Sequence, residues 1–244
     1  MKFFKALSSI IAAYDYRDKL LTAFGFAIVL LMIVKMMIFP YGLFGFGESG
    51  IYTEGLVSKT GIQNISPLFV DYNEADREVS ALVFSGLMKY DPDKGAIVDD
   101  MGRLTINEDK TVYTFTLREG LKWHDGEDVT VDDIVFTFKD LIQNERFPNE
   151  ILKTNFAGIK VDKIDDRQVA FTLEKPNAFF IANLVTGILP EHILGNVDAA
   201  DVLENDFNKQ PVGSGPYMAT TPIESFADGR TQITLEPNPY YYGG

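Results

Sequence analysis

From Leu20 to Phe39 the chain reads LLTAFGFAIVLLMIVKMMIF, an apolar run interrupted by one charge, Lys35. As an α-helix rising about 1.5 Å per residue, it spans about 30 Å, the thickness of a bilayer's hydrocarbon core. Lys35 stands about one turn from the end, where its stem can lift the ammonium into the headgroup layer. Lys2, Lys5, Arg17 and Lys19 precede the run, and no Lys or Arg stands between Met36 and Ser58. The positive-inside rule then places Met1 in the cytoplasm and everything after Phe39 outside. The chain is thus read as a cytoplasmic segment 1–19, a single transmembrane helix 20–39 in the cell membrane, a glycine-rich linker 40–50 and an extracytoplasmic domain 51–244. Two readings compete with the anchor. A cleaved signal peptide would use Gly45-Phe46-Gly47 as its small-x-small site, although signal cores run to about 7–15 apolar residues. A buried core helix would have to be apolar on every face.

Composition narrows the function classes. The chain is 46% hydrophobic and 23% charged, as folded domains are, and its formal net charge is −13. Beyond residue 39 there remain 17 of the 22 basic and 33 of the 35 acidic residues. Such a surface repels phosphate backbones, so no nucleic-acid partner is expected. The absence of cysteine excludes disulfides, thiolate metal sites, a cysteine nucleophile and a lipidated N-terminal cysteine.

The patterning after residue 50 alternates strand pairs with helices and predicts a mixed α/β domain. A strand begins at Ile51 and is broken by Asn64-Ile65-Ser66-Pro67. A helix follows from about Asn73, with Val79, Leu82, Val83 and Leu87 at the spacing of a buried face. Residues 103–107 and 111–117 form a hairpin in which Tyr113, Phe115 and Leu117 share one face. Thr130-Val131-Asp132-Asp133 opens a helix in the manner of a capping box, with Asp where Glu or Gln is usual, and Ile134, Phe138, Leu141 and Ile142 carry its apolar stripe. A second hairpin spans 158–173. Short helices start at Pro176 and Pro190, and strands at 216–224 and 231–236 join through Asp228-Gly229.

Catalytic and metal constellations do not assemble from these residues. The two histidines, His124 and His192, sit in turn-like settings without the further ligands a zinc site needs. Asp91-Pro92-Asp93-Lys94-Gly95 opens like a calcium loop but has Gly95 and Gly102 where an EF-hand needs acidic ligands, so it reads as a turn. Gly213-Ser214-Gly215 lacks the third glycine of a dinucleotide loop and the lysine of a phosphate loop. The chain is read as a non-enzyme, with no cofactor, metal or catalytic residue.

Specificity enters with the run Tyr113–Gly126 (YTFTLREGLKWHDG), followed by Val129–Phe136 (VTVDDIVF). Phe84–Met88 (FSGLM) precedes it; Ile188–Leu194 (ILPEHIL), Pro211–Tyr217 (PVGSGPY) and Asn238–Gly244 (NPYYYGG) follow it. These blocks, in this order, resemble the family 5 solute-binding proteins of ABC importers, which include oligopeptide- and dipeptide-binding proteins. The resemblance covers about 51–244. Each block also has a reading of its own. Trp123 is a core anchor, with His124 and Asp125 structural in the turn it opens. Pro211, Gly213, Gly215 and Pro216 mark a change of chain direction.

The resemblance implies a periplasmic-binding-protein-like lobe of type II with a mixed sheet, incomplete because family members carry a second lobe after the Asn238 block. The function it implies is the reversible binding of a peptide and its delivery to ABC permease subunits, with no covalent step. The segment after the first strand would line the cleft, so Asp71, Tyr72 and Asn73 are the expected ligand contacts, backed by Gly213, Ser214 and Gly215. Asn73 has the alternative reading of a helix cap. The competing function is a membrane-tethered surface sensor or interaction module built on the same half-domain.

The cysteine-free background makes the topology directly testable. A cysteine introduced at Ser58 is expected to react with a membrane-impermeant maleimide in intact cells, and one at Ser8 only after lysis; labelling of both in intact cells would refute the orientation.

Overall fold

The structure is a computed structural model and describes residues 15–17, 20–21, 24–25, 28–30, 53–70 and 73–243. The chain divides into two compact units, Met1–Gly55 and Leu56–Gly244. In the first, the described residues 16–17, 20–21, 24–25 and 28–30 are helical and exposed. Most of the expected transmembrane run, including 31–39, and the 40–50 linker lie outside the described residues. No helix among the described residues is long and apolar enough to cross a membrane.

The second unit is built on a four-stranded antiparallel sheet of order β3-β4-β6-β5, with β3 at Gly102–Ile106, β4 at Val112–Leu117, β5 at Lys160–Lys163 and β6 at Gln168–Thr172. β4 alternates as its sequence demands: Tyr113, Phe115 and Leu117 are buried, while Val112, Thr114 and Thr116 are half-buried on the other face. The β5 edge carries Lys160, Asp162 and Lys163, charges that discourage pairing with another chain. Smaller antiparallel pairs flank this sheet. They are β1 (Met88–Asp91) with β2 (Ala96–Asp99), β7 (Tyr217–Ala219) with β10 (Leu235–Pro237), and β8 (Glu224–Ser225) with β9 (Thr231–Gln232). Helices and strands are mixed as expected, but every strand pairing described is antiparallel, where a mixed sheet was anticipated. Tight turns close most of these pairs, and a tight turn can only return the chain antiparallel. Residues 53–58, where the first strand was expected, carry no strand; Leu56 and Val57 are exposed.

Among the described residues of this unit the α-helices are α1 (Glu74–Val83), α2 (Val131–Val135), α3 (Glu150–Phe156), α4 (Phe180–Asn183) and α5 (Glu191–Leu194); α1 packs on β7 and α2 on β5 and β6. α1 buries Ala75, Val79 and Val83, but Leu82 is 41% exposed and Leu87 lies beyond the helix end. The predicted stripe ran on past Val83; the chain instead leaves the helix at Phe84, which is extended. α2 continues into a π-helical turn, Phe136–Leu141. There Thr137 Oγ1 donates to the Asp133 carbonyl at 2.8 Å and accepts from the Leu189 N–H at 2.9 Å, so the widened turn is bolted to the strand-like segment before α5. The expected stripe of Ile134, Phe138, Leu141 and Ile142 is buried throughout.

Aromatic rings knit the core. Phe171 on β6 meets Phe138 edge-on at 5.4 Å and Phe180 at 5.8 Å, while Tyr113 on β4 meets Phe180 at 4.8 Å. Phe156 on α3 closes the group at 5.0 Å from Phe138. Phe171→Ala is expected to destabilise the folded unit by about 3–5 kcal/mol in denaturant titration, against about 0.5 kcal/mol for the exposed Ile106→Ala. Equal costs at the two positions would contradict this placement of the core.

Candidate functional site

The Gly213–Gly215 turn is held from three sides. The first is the C-terminus of α1, where the Gly215 N–H donates to the Val83 carbonyl at 2.9 Å. The approach leaves no room for side chains. A Cβ on Gly213 would lie 1.9 Å from the Val83 carbonyl oxygen, and one on Gly215 would lie 2.6 Å from the Leu82 oxygen. Both glycines are therefore required by close backbone contact.

The second side is His124. Its backbone N–H donates to the Gly213 carbonyl at 2.9 Å, the Gly213 N–H donates to its Nδ1 at 3.0 Å, and its Nε2 lies 3.2 Å from the Gly215 carbonyl. Burial pushes the imidazole pKa below its ordinary value, against the opposing pull of the Gly215 carbonyl and of Asp125. The third side is Asn238, whose Nδ2 donates to the same Gly215 carbonyl at 2.8 Å while its N–H donates to the Pro216 carbonyl.

Behind His124 lies a second anchor. Trp123 is fully buried and its Nε1 donates to Asp133 Oδ2 at 3.4 Å. The Thr130 N–H reaches the same oxygen at 2.8 Å, the Thr130 hydroxyl at 3.1 Å, and the Glu191 N–H donates to Asp133 Oδ1 at 2.8 Å. Asp133 thus performs the reciprocal half of a capping box despite its shorter side chain, and it also ties α5 to α2. Burial raises its pKa, and the four donors work against that rise. On the surface of this layer, His192 Nε2 stands 2.9 Å from Asp125 Oδ2. These contacts give His124, Asp125 and Trp123 the structural roles expected of them.

Of the predicted ligand residues described, Asn73 and the Gly213–Gly215 turn stand apart. Asp71 and Tyr72 lie outside the described residues. Asn73 is the N-cap of α1: its Oδ1 accepts from the Ala75 N–H at 3.1 Å and its Nδ2 donates to the Gly61 carbonyl at 2.7 Å. The ten residues of α1, about 15 Å of helix, therefore stand between Asn73 and the glycine turn, which abuts the opposite end. Ser214 is buried and its hydroxyl has no partner among the described residues, while its carbonyl accepts from Ser85 Oγ at 3.4 Å.

Roles that sequence reasoning did not assign include Asp133 as a hub, Asn238 as a donor to the glycine turn, and the buried Asp100, which pairs with Lys89 at 3.0 Å. Only Asp133 had a local signal, its position three after Thr130. Among the described residues no group of His, Asp and Glu side chains is arranged to hold a metal ion. A shallow groove of about 470 Å³ between Gln63, Lys209, Phe226 and Arg230 has its cations already paired, Lys209 with Asp206 and Arg230 with Asp228.

Comparison with known proteins bears on what this arrangement serves. A family model for bacterial extracellular solute-binding proteins, family 5 (middle region), matches residues 91–244. The oligopeptide-binding protein AppA of Bacillus subtilis is 33% identical over 180 residues, which is 70% of this chain and 31% of that protein. Its structure in complex with a nonapeptide superposes on 76% of this chain and 36% of its own at a TM-score of 0.65 and 31% identity. NikZ from Campylobacter jejuni, solved with Ni(L-His), covers 74% of this chain and 34% of its own at a TM-score of 0.62 and 30% identity. The chain thus spans roughly a third of the length of the relatives it matches.

Two substitutions separate the ends of α1. Gly213→Ala is expected to cost about 2 kcal/mol or more, because backbone must move to admit the methyl group. Asn73→Ala is expected to cost about 1 kcal/mol, the loss of a cap. A neutral Gly213→Ala in denaturant titration would contradict the close approach to Val83.

Proposed function

Because the chain belongs to the bacterial extracellular solute-binding proteins of family 5, we propose that it forms the first lobe of a binding protein that takes up an oligopeptide or dipeptide outside the membrane and presents it to the permease of an ABC importer. The observation that carries the peptide assignment is the likeness to AppA of Bacillus subtilis, which was solved with a nonapeptide and matches this chain at 31% identity. In this reading the chemistry is reversible binding, with no bond made or broken. A lobe of this kind contributes one wall of a cleft, and closure against a second lobe is driven by contacts that exist only in the shut state.

The rigid part of that wall is the layer described above. His124, Asn238 and the end of α1 hold the Gly213–Gly215 turn, and Asp133 holds the Trp123 turn behind it. Asp71 and Tyr72, just ahead of the α1 cap, are proposed to supply polar and aromatic contacts to an extended ligand. The Leu20–Phe39 run is proposed to tether the protein to the outer face of the membrane. The alternative role, a tethered sensor or interaction module, uses the same lobe without a permease.

Thermal unfolding of the ectodomain encoded by the full reading frame tests the assignment. At about 100 times the Kd a bound peptide adds about 2.7 kcal/mol of stability. A stabilising shift with peptide pools, reduced by Asp71→Ala and Tyr72→Ala, is the expected result. A shift with a nickel–histidine complex, a glycan or an opine, and none with any peptide pool, would overturn the peptide assignment.

A further inference from the structure

We infer that His124 is a proton-operated clasp on the Gly213–Gly215 turn, closed while the imidazole is neutral and released when it is protonated. The hydrogen-bond roles leave one chemical form that fits. The Gly213 N–H points at Nδ1 from 3.0 Å, so Nδ1 must carry a lone pair. The Gly215 carbonyl lies 3.2 Å from Nε2 and can only accept, so Nε2 must carry the hydrogen. The ring is therefore the neutral Nε2–H tautomer. A second proton can go only to Nδ1, where it would face the Gly213 N–H donor to donor. The ring must then leave, and the Gly213 N–H loses its partner in a layer where an unpaired donor is costly.

The groups around the ring do not offset this. The loop carrying His124 has Lys122 paired with Asp128 at 2.7 Å, together with Asp125 and Glu127. α5 presents His192, which is engaged with Asp125. Tyr240 places its phenol against Gly126. The segment 212–216 has no titratable side chain. Asp125 favours the charged ring, but burial outweighs it and holds the pKa down. The sign follows. The unfolded chain takes up the proton at the ordinary imidazole value and the folded chain only below it. Stability is thus complete above the ordinary value and is lost as pH falls toward the folded one.

The consequence is local to the turn. Once the ring has gone, the turn keeps the His124 N–H to Gly213 carbonyl bond, the Asn238 Nδ2 bond and the Gly215 N–H to Val83 bond, but the Gly213 N–H loses its acceptor and the Gly215 carbonyl loses one of its two donors. The significance for ligand binding rests on the proposal that this turn backs the cleft; the clasp itself does not.

The test uses the full chain in detergent with 15N-labelled histidine rings. There are two histidines to resolve, and His192→Gln assigns them. At about pH 7.5, His124 is expected to show the Nε2–H tautomer. On acidification through its titration, the Gly213 amide is expected to lose about tenfold or more of its exchange protection, while the Gly215 amide and the Phe115 and Phe171 strand amides keep theirs. His124→Gln should abolish that pH dependence. An Nδ1–H tautomer in the wild-type chain would overturn the clasp, and so would titration of His124 with the Gly213 amide unchanged or with the strand amides lost in parallel. If His124→Gln fails to fold, the wild-type tautomer and titration decide alone. None of these readouts involves a ligand, so a failed clasp and a failed peptide assignment are told apart.

Discussion

A carboxylate at the centre of the fold must have its charge answered, and much of the surrounding layer is arranged to do so. Asp133 is almost fully buried, where an uncompensated charge would cost several kcal/mol. Two backbone N–H groups, one hydroxyl and one indole N–H converge on its two oxygens. The donors come from the Trp123 turn, the start of α2 and the start of α5, so satisfying one side chain ties the 123–133 stretch to α5, 58 residues from Asp133 in sequence. Removing any donor leaves part of the charge unanswered, at a cost that rises with the burial of the group.

The second layer follows from the first. With Trp123 anchored, His124 projects against the Gly213–Gly215 turn, where its ring supplies one acceptor and one donor and its backbone N–H a second donor. The Gly215 carbonyl takes both the His124 ring and the Asn238 amide, exhausting its lone pairs. The blocks that resemble the family, scattered over 84–88, 113–136, 188–194, 211–217 and 238–244, thus meet in one contiguous network. Most of these residues are committed to one another, and the segment ahead of α1 remains as the proposed source of ligand contacts.

α1 links the two regions. Asn73 satisfies its first turn and Gly215 takes the carbonyl of its last residue, so both ends are defined by hydrogen bonds rather than by propensity alone.

Local chemistry made much of the fold legible in the sequence. Alternation placed Tyr113, Phe115 and Leu117 on one face of β4, and Asp228-Gly229 marked the turn between β8 and β9, because these choices depend on neighbours a few residues away. Asn73 was legible both as a cap and as a ligand contact, and its bonds to Ala75 and Gly61 show the cap. Leu82 and Leu87 misled, since helical spacing says nothing about where a partner's backbone ends the helix. Long-range satisfaction was decided by tertiary structure alone. Asp133 differs from its neighbour Asp132 only in that the fold buries one and pairs the other with Lys163 at the surface. The glycines at 213 and 215 announce backbone freedom, but only the packed structure shows that they are needed because the end of α1 comes too close for a Cβ.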